Sequence, residues 1–217
     1  FKTLKKKGKN KLSYFNRIIK LLIQIQSIKH RKVKNFRNQN YIIPKYDKKI
    51  LINEANLFCD WYAKNNLSKL RKKRFCKKFK KIIKELTLKL KLKDNIFVHR
   101  DFHVSNLMSV KNQIGLIDSQ DALIGNKAYD LASLIDDVRL KTSYSFKEKI
   151  FKFYIKKQKN LDIKKFKNDF EILSVLRNLK IIGIFTRLAL RDRKKNYLRF
   201  IPYTCLLYTS DAADEGV

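Results

Sequence analysis

The sequence predicts a mainly α protein with one small β element, a hairpin, at its centre. Three observations carry that expectation. Apolar residues recur at helical spacing on both sides of residues 95–118, the period shortens to that of strands within them, and 217 residues that are 44% apolar suffice to bury a core. Residues 13–28, SYFNRIIKLLIQIQSI, set Phe15, Ile18, Ile19, Leu22 and Ile25 on one stripe of a first helix. Pro44 falls in a loop, and residues 47–65 predict a second helix with Leu51, Phe58, Trp61 and Tyr62 facing inward. A third spans about Ser68 to Leu90, with Leu70, Phe79, Ile82, Ile83 and Leu86 inward and a dense basic outer face. NIFVH is strand-like, and LMSV-KNQ-IGLID reads as two short strands joined by a polar turn. Helical spacing returns at Tyr129, with Asp130 placed as the N-cap of LASLIDDVRL. Two more helices follow, over residues 145–158 and over about 163–191, where Ile172, Val175, Leu176, Leu179, Ile182, Ile184, Phe185 and Leu188 supply apolar positions. The chain carries no internal repeat.

Lys and Arg number 52 against 19 acids, a net charge of +33. A field of that size attracts polyanions. The lysines are spread along the chain and form no single block, so the charge reads mainly as solvated faces, with nucleic acid expected only as a non-specific partner. Cys59, Cys76 and Cys205 form no CxxC pair, which signals neither a disulfide framework nor a zinc site. No apolar run approaches the roughly eighteen residues of a membrane span, and no signal-peptide pattern is present. A cytoplasmic protein without a membrane partner is the expectation. Both ends look unnatural. The chain starts at Phe1, Lys5–Lys7 and Gly8 read as a polar connector, and CLLYTSDAADEGV (205–217) lacks Lys and Arg entirely. That tail resembles the translation of a sequencing-library adapter, so residues 205–217 are expected to be non-native and the chain to be a fragment.

The stretch FVHRDFHVSN (97–106) gathers two of the three histidines, an aspartate and an asparagine on one predicted loop. Asp118 follows at the end of the hairpin, so three oxygen-bearing side chains converge. Moving a phosphoryl group from a nucleotide requires an acceptor hydroxyl held in line and a divalent cation on the phosphates. Asp101 suits the orienting or basic role toward that hydroxyl. Asn106 and Asp118 offer one amide oxygen and one carboxylate, a donor set for Mg2+ that keeps waters and phosphates as its other ligands. An HxD triplet alone is weak. HxD with Asn five residues after the Asp, then GLIDSQD at hairpin distance, is specific. His99 is expected to pack beneath the loop.

HRDFHVSNLM, followed by IGLIDSQDALIGNKAYDLASL, resembles the aminoglycoside phosphotransferase superfamily, kinase-like enzymes that phosphorylate small molecules. His103 occupies a position where these enzymes usually carry His and protein kinases usually carry Lys, and DSQ lacks the glycine of a protein-kinase DFG. The resemblance implies the C-terminal, catalytic lobe of a protein-kinase-like fold, with ATP and Mg2+ as cofactors. It is most specific to a bacterial group that phosphorylates the amino sugars N-acetylmuramate and N-acetylglucosamine in cell-wall recycling, through residues 44–62, 117–139 and 176–198. It makes Asp101 the catalytic aspartate, places Asn106 and Asp118 on magnesium and gives Asp130 a supporting role behind the loop. His103 and Asp121 are expected to be structural, and Glu54, Trp61, Arg177 and Arg187 to line the acceptor side. Ser119 departs from the group's more frequent phenylalanine, which implies altered packing beside Asp118 and no lost ligand.

The same resemblance implies that residues 1–43 are a connector and first helix after the hinge and 44–204 the catalytic lobe. The N-terminal lobe that clamps ATP has no counterpart, since Gly8, Gly115, Gly125 and Gly183 are isolated and form no Gly-rich loop. The fragment alone is therefore expected to be inactive. Other acceptors, such as aminoglycosides, choline or homoserine, stay open. A non-enzymatic polyanion-binding module is the competing class, and the Asp/Asn/Asp spacing argues against it, because nucleic-acid binding has no need of such a set.

Overall fold

The computed structural model describes residues 11–93, 95–110 and 113–207. Its helices and strands alternate in blocks. Helix α1 (Lys11–Gln26) precedes a hairpin of β1 (Lys32–Lys34) and β2 (Asn40–Ile42). Helix α2 (Lys48–Leu57) runs through a π turn (Phe58–Ala63) into a last short turn, α3 (Lys64–Asn66), before α4 (Lys69–Leu88). The strands β3 (Ile96–Val98), β4 (Leu107–Val110), β5 (Gln113–Leu116) and β6 (Leu123–Gly125) follow, then helices α5 (Ala128–Ile135), α6 (Tyr144–Lys156), α7 (Ile163–Leu190) and α8 (Ile201–Leu206). These elements form two compact units, one within Phe1–Asp47 and Lys91–Glu171, the other within Lys48–Leu90 and Ile172–Val217.

In the first unit α1 buries Phe15, Ile18, Ile19 and Leu22, as its apolar stripe requires, and ends on a buried glutamine instead of Ile25. Gln26 is satisfied on both sides: Nε2 donates to the Lys127 carbonyl at 2.9 Å and Oε1 accepts from the Tyr154 hydroxyl at 2.6 Å. Strand β3 pairs antiparallel with β6, Phe97 opposite Ile124, while β4 and β5 form the expected hairpin. The hairpin's turn at residues 111 and 112 lies outside the described residues. On its other edge β6 meets Pro44–Tyr46, with Ile124 N donating to the Pro44 carbonyl at 2.8 Å and Tyr46 N to the Ile124 carbonyl at 2.7 Å. Proline has no N–H, so it supplies only a carbonyl to this edge. Gly125 is needed there, because a Cβ would sit 2.8 Å from Cβ of Tyr46. Rings from α6 and the start of α7 close the core, with Tyr154 stacked on Phe166 at 5.3 Å.

The helix after β6 departs from the sequence expectation. It begins at Ala128, and Asn126 does the capping, its Oδ1 accepting from Ala128 N at 3.0 Å. Asp130 lies inside the first turn, fully buried, and so is no N-cap. Residues Ala128 to Ile135 are all buried, leaving α5 no solvated face.

In the second unit Phe58 in the π turn packs against Phe75 and Phe79 of α4, at 6.1 and 5.4 Å between ring centres. Only the narrow row Phe79, Ile83 and Thr87 of α4 is buried. Leu70 and Ile82, expected inward, are 74% and 43% exposed, because α4 packs along its i, i+4 row and they project from the other side and the flank. Along α7, Ile172, Leu176, Ile182 and Phe185 are buried, while Val175, Leu179, Ile184 and Leu188 are half-buried. A 3-10 turn (Lys195–Phe200) and α8 close the unit, and the remainder of the tail from residue 208 lies outside the described residues.

Gly183 sits mid-helix in α7, where glycine costs about 1 kcal/mol against alanine. Its presence follows from the approach of α2: a Cβ there would overlap the backbone carbon of Leu57. One turn earlier Lys180 Nζ pairs with Glu54 Oε1 at 2.9 Å across the same helix pair. Backbone cannot rotate aside, so overlap outweighs propensity. Gly183→Ala is expected to lower the unfolding free energy by about 1–3 kcal/mol in urea titrations; a stability gain would contradict backbone-level contact.

Candidate active site

The loop between β3 and β4 has to turn sharply and still leave no buried amide unpaired. Arg100 adopts φ 71°, in the left-handed region that non-glycine residues enter at a cost of about 1–3 kcal/mol. The carboxylate of Asp130 holds it there. His99 N donates to Asp130 Oδ2 at 2.7 Å and Arg100 N to Oδ1 at 3.0 Å. A carboxylate with 0% exposure survives burial only if its oxygens are bonded, and these bonds are charge-assisted.

Two further buried acids secure the same frame. Asp137 Oδ2 accepts from Val104 N at 2.9 Å at the start of the 3-10 turn Val104–Asn106. Asp169 accepts from Lys91 N and Leu92 N, both at 2.8 Å, and from Asn126 Nδ2 at 2.7 Å. Sequence reasoning missed both. The paired aspartates of LASLIDD were a signal for Asp137, whereas an acid on a long helix such as α7 reads as solvent-facing and offered none for Asp169.

Within this frame Asp101, Asn106 and Asp118 come together. Asn106 Nδ2 donates to the Asp101 carbonyl at 3.0 Å and lies 3.5 Å from Asp118 Oδ2. Both neighbours only accept, so the amide nitrogen must face them and Oδ1 is left for another partner. Ile117 N donates to the Asn106 carbonyl at 3.1 Å, tying the hairpin's end to the loop. Asp118 itself has φ 72°, and its Oδ1 accepts from Gln120 Nε2 at 2.6 Å. The Asp101 side chain is half-buried and that of Asp118 exposed, so both reach solvent. Ser119 is exposed, and its carbonyl accepts from Ala122 N at 3.1 Å.

His99 is fully buried, edge-on to Phe102 with ring centres 6.3 Å apart. Burial pushes its imidazole below the ordinary value, against the opposing pull of the Asp101 carboxylate and of the Ile117 backbone. A neutral ring beneath the loop is the result. His103 is also buried, and its N–H donates to the Asp101 carbonyl at 2.9 Å. Asp121 acts through its backbone: its carbonyl accepts from Arg100 Nη1 at 3.0 Å, and the guanidinium lies 5.3 Å over the Tyr46 ring.

Asn106 Oδ1, on a buried side chain, and the exposed Asp118 carboxylate are hard oxygen donors, which fits a small divalent cation. Among the described residues no group of three His, Cys, Asp or Glu side chains can hold a metal by themselves. Any cation at Asn106 and Asp118 therefore completes its shell with water or with oxygens of a bound molecule. The four acceptor-side candidates belong to the second unit. Glu54 is engaged by Lys180, Trp61 is half-buried in the π turn, and Arg177 is buried with Nη1 3.5 Å from Asn178 Oδ1. Arg187 is half-buried, and its Nε is buried without a hydrogen bond among the described residues.

The pattern of the phosphotransferase enzyme family, APH, matches residues 11–161. This chain belongs to that family. Over 167 residues the chain is 32% identical to the N-acetylmuramate/N-acetylglucosamine kinase of Neisseria meningitidis serogroup B, a match covering 74% of this chain and 50% of that protein. The Pseudomonas aeruginosa protein of the same name is also 32% identical over 167 residues, covering 74% and 49%. That of Caulobacter vibrioides is 34% identical over 112 residues, covering 49% and 31%. The chain spans about half the length of the curated relatives it matches. Its mainly α architecture with small antiparallel strand pairs is that of the kinase-like C-lobe of the family.

The Asp130 contacts make a clear energetic forecast. Asp130→Asn turns one accepting oxygen into a donor facing a backbone N–H, at a cost of about 2 kcal/mol or more. A matching fall in the urea unfolding free energy is expected; an unchanged midpoint and slope would refute the clamp.

Proposed function

We propose that this chain supplies the catalytic lobe of an ATP- and Mg2+-dependent kinase that moves the γ-phosphoryl group to a hydroxyl of an amino sugar. The observation that supports the reading is Asn106, whose buried amide lies between the Asp101 backbone carbonyl and the Asp118 carboxylate and so ties the loop to the end of the hairpin. Asp101 orients the acceptor hydroxyl and takes its proton as the oxygen attacks. Asn106 Oδ1 and the Asp118 carboxylate would hold Mg2+, which when bound neutralises charge on the phosphates. The neutral His99, with His103, Asp121 and Asp130, keeps the loop in register. Residues 44–204 form the catalytic lobe after a connector and first helix at 1–43, and nucleotide-clamping groups come from outside the matched half of the relatives. Residues 205–217 play no part in the chemistry.

The amino-sugar acceptor is supported by the names of the relatives, each an N-acetylmuramate/N-acetylglucosamine kinase. Glu54, Trp61, Arg177 and Arg187 serve the acceptor side in this reading. A panel of N-acetylmuramate, N-acetylglucosamine, aminoglycosides, choline and homoserine with labelled ATP tests it, using the protein completed by its nucleotide-clamping lobe. Transfer to the two amino sugars is expected, and transfer only to another acceptor would reassign the substrate. A polyanion-binding module is the second reading, favoured by the +33 charge. It gains if duplex DNA binds with steep salt dependence and no acceptor is ever phosphorylated.

Asp101→Ala in the completed enzyme is expected to cut kcat by on the order of a hundredfold or more. Near-normal turnover would remove Asp101 from the mechanism. Asp118→Asn should raise the Mg2+ concentration needed for half-maximal rate, and a titration curve coincident with wild type would sink its assignment to the cation.

A further inference from the structure

Helix α4 differs from the rest of this basic chain. Ten of its twenty residues are Lys or Arg against the single acid Glu85, whereas 52 of 217 residues are basic over the whole sequence. A lysine-rich composition alone would put about five there, so the helix is enriched twofold. Its buried row, Phe79, Ile83 and Thr87, faces the second unit's core. At 100° per residue, the opposite side carries one continuous stripe: Leu70, Arg74, Lys77, Lys81, Lys84 and Leu88. All six are exposed, the leucines at 74% and 62%. None of the four cations has an ion-pair partner among the described residues. The two leucines stand eighteen residues apart, five full turns, so they point the same way from the two ends of the cationic row.

We infer that this stripe docks the protein on an anionic phospholipid bilayer surface. Four cations in a row complement a plane of phosphates, since long basic side chains keep their charge at the headgroups while their stems lie along apolar surface. The leucines decide between polyanions. On a bilayer they enter the acyl boundary on either side of the cationic row, gaining apolar burial. Against the phosphates of a nucleic acid two exposed leucines at the ends of the contact have nothing to meet. Phe75 and Ile82, 40% and 43% exposed, lie about 120–140° around the helix from the two leucines, beside the buried row, and are no part of the stripe. Docking on a surface is independent of spanning one, and no helix among the described residues is long and apolar enough to cross a membrane.

Flotation of the whole chain with vesicles at 0.1 M salt tests the inference. Vesicles of phosphatidylcholine with about 30% phosphatidylglycerol should carry the protein, and pure phosphatidylcholine vesicles should not. The L70S/L88S double variant should weaken vesicle binding about tenfold, with anisotropy on a 20-bp DNA duplex unchanged. K77Q/K81Q/K84Q should weaken it at least as much, whereas K152Q/K164Q/K167Q, an equal loss of charge on α6 and α7, should leave it within twofold. All substituted positions are exposed, and circular dichroism checks that each variant stays folded. The inference fails if the chain does not float with anionic vesicles, if L70S/L88S binds them like wild type, or if both triple variants weaken binding equally. Duplex binding without vesicle binding would assign the stripe to nucleic acid instead.

Discussion

Two backbone amides, those of His99 and Arg100, converge on the buried carboxylate of Asp130, and the candidate active site depends on that convergence. The peptide turns there through a left-handed conformation that an arginine would not adopt unaided. The charge of Asp130, in turn, could not stay in an apolar helix without donors. Each side of the contact makes the other affordable. Downstream, the direction of the loop fixes the Asp101 carbonyl, the carbonyl fixes the Asn106 amide, and the amide faces the Asp118 carboxylate. Asp137 at Val104 and Asp169 at Lys91 and Leu92 repeat the device on neighbouring turns. The first unit thus uses buried acids to shape loops, in a chain whose surface is overwhelmingly basic.

The second unit is organised by close approach instead. Gly183 brings α7 onto the Leu57 backbone at the end of α2, the Lys180–Glu54 pair lies one turn away, and the π turn follows directly on the C-terminal side. Aromatic rings from the π turn and α4 fill the adjoining space. Because α4 is gripped along a single row, most of its circumference is left to solvent, and that is where the basic residues concentrate. Packing geometry and charge distribution on α4 therefore have one cause.

The long helices were legible because their apolar residues keep a steady period over ten residues or more, as Phe15, Ile18, Ile19 and Leu22 begin to do, and the central hairpin because two short strand-like runs flank a polar turn. Three-residue strands carry no period, and of them only β3, within the apolar run of NIFVH, gave a signal, while β1, β2 and β6 gave none. The loop chemistry was legible because His99, Asp101, His103 and Asn106 are uncommon side chains crowded together in an otherwise Lys-, Ile- and Leu-rich chain. Asp130 was misjudged for a physical reason. An acid near a helix start normally bonds amides of its own first turn, but these amides come from residues 31 and 30 positions upstream, a tertiary contact that local spacing does not encode. Leu70 and Ile82 err in the opposite sense, since helical spacing predicts core for an apolar residue even where the helix packs along only one row.

The buried carboxylate of Asp130 holds the loop in shape. Amide hydrogen exchange, read residue by residue by NMR on the whole chain, tests it most directly. The amides of His99 and Arg100 should exchange only through large-scale unfolding, with protection close to that of the α5 core. Exchange at rates typical of exposed loop amides would show that Asp130 does not hold them, and the geometry built on that contact would be wrong.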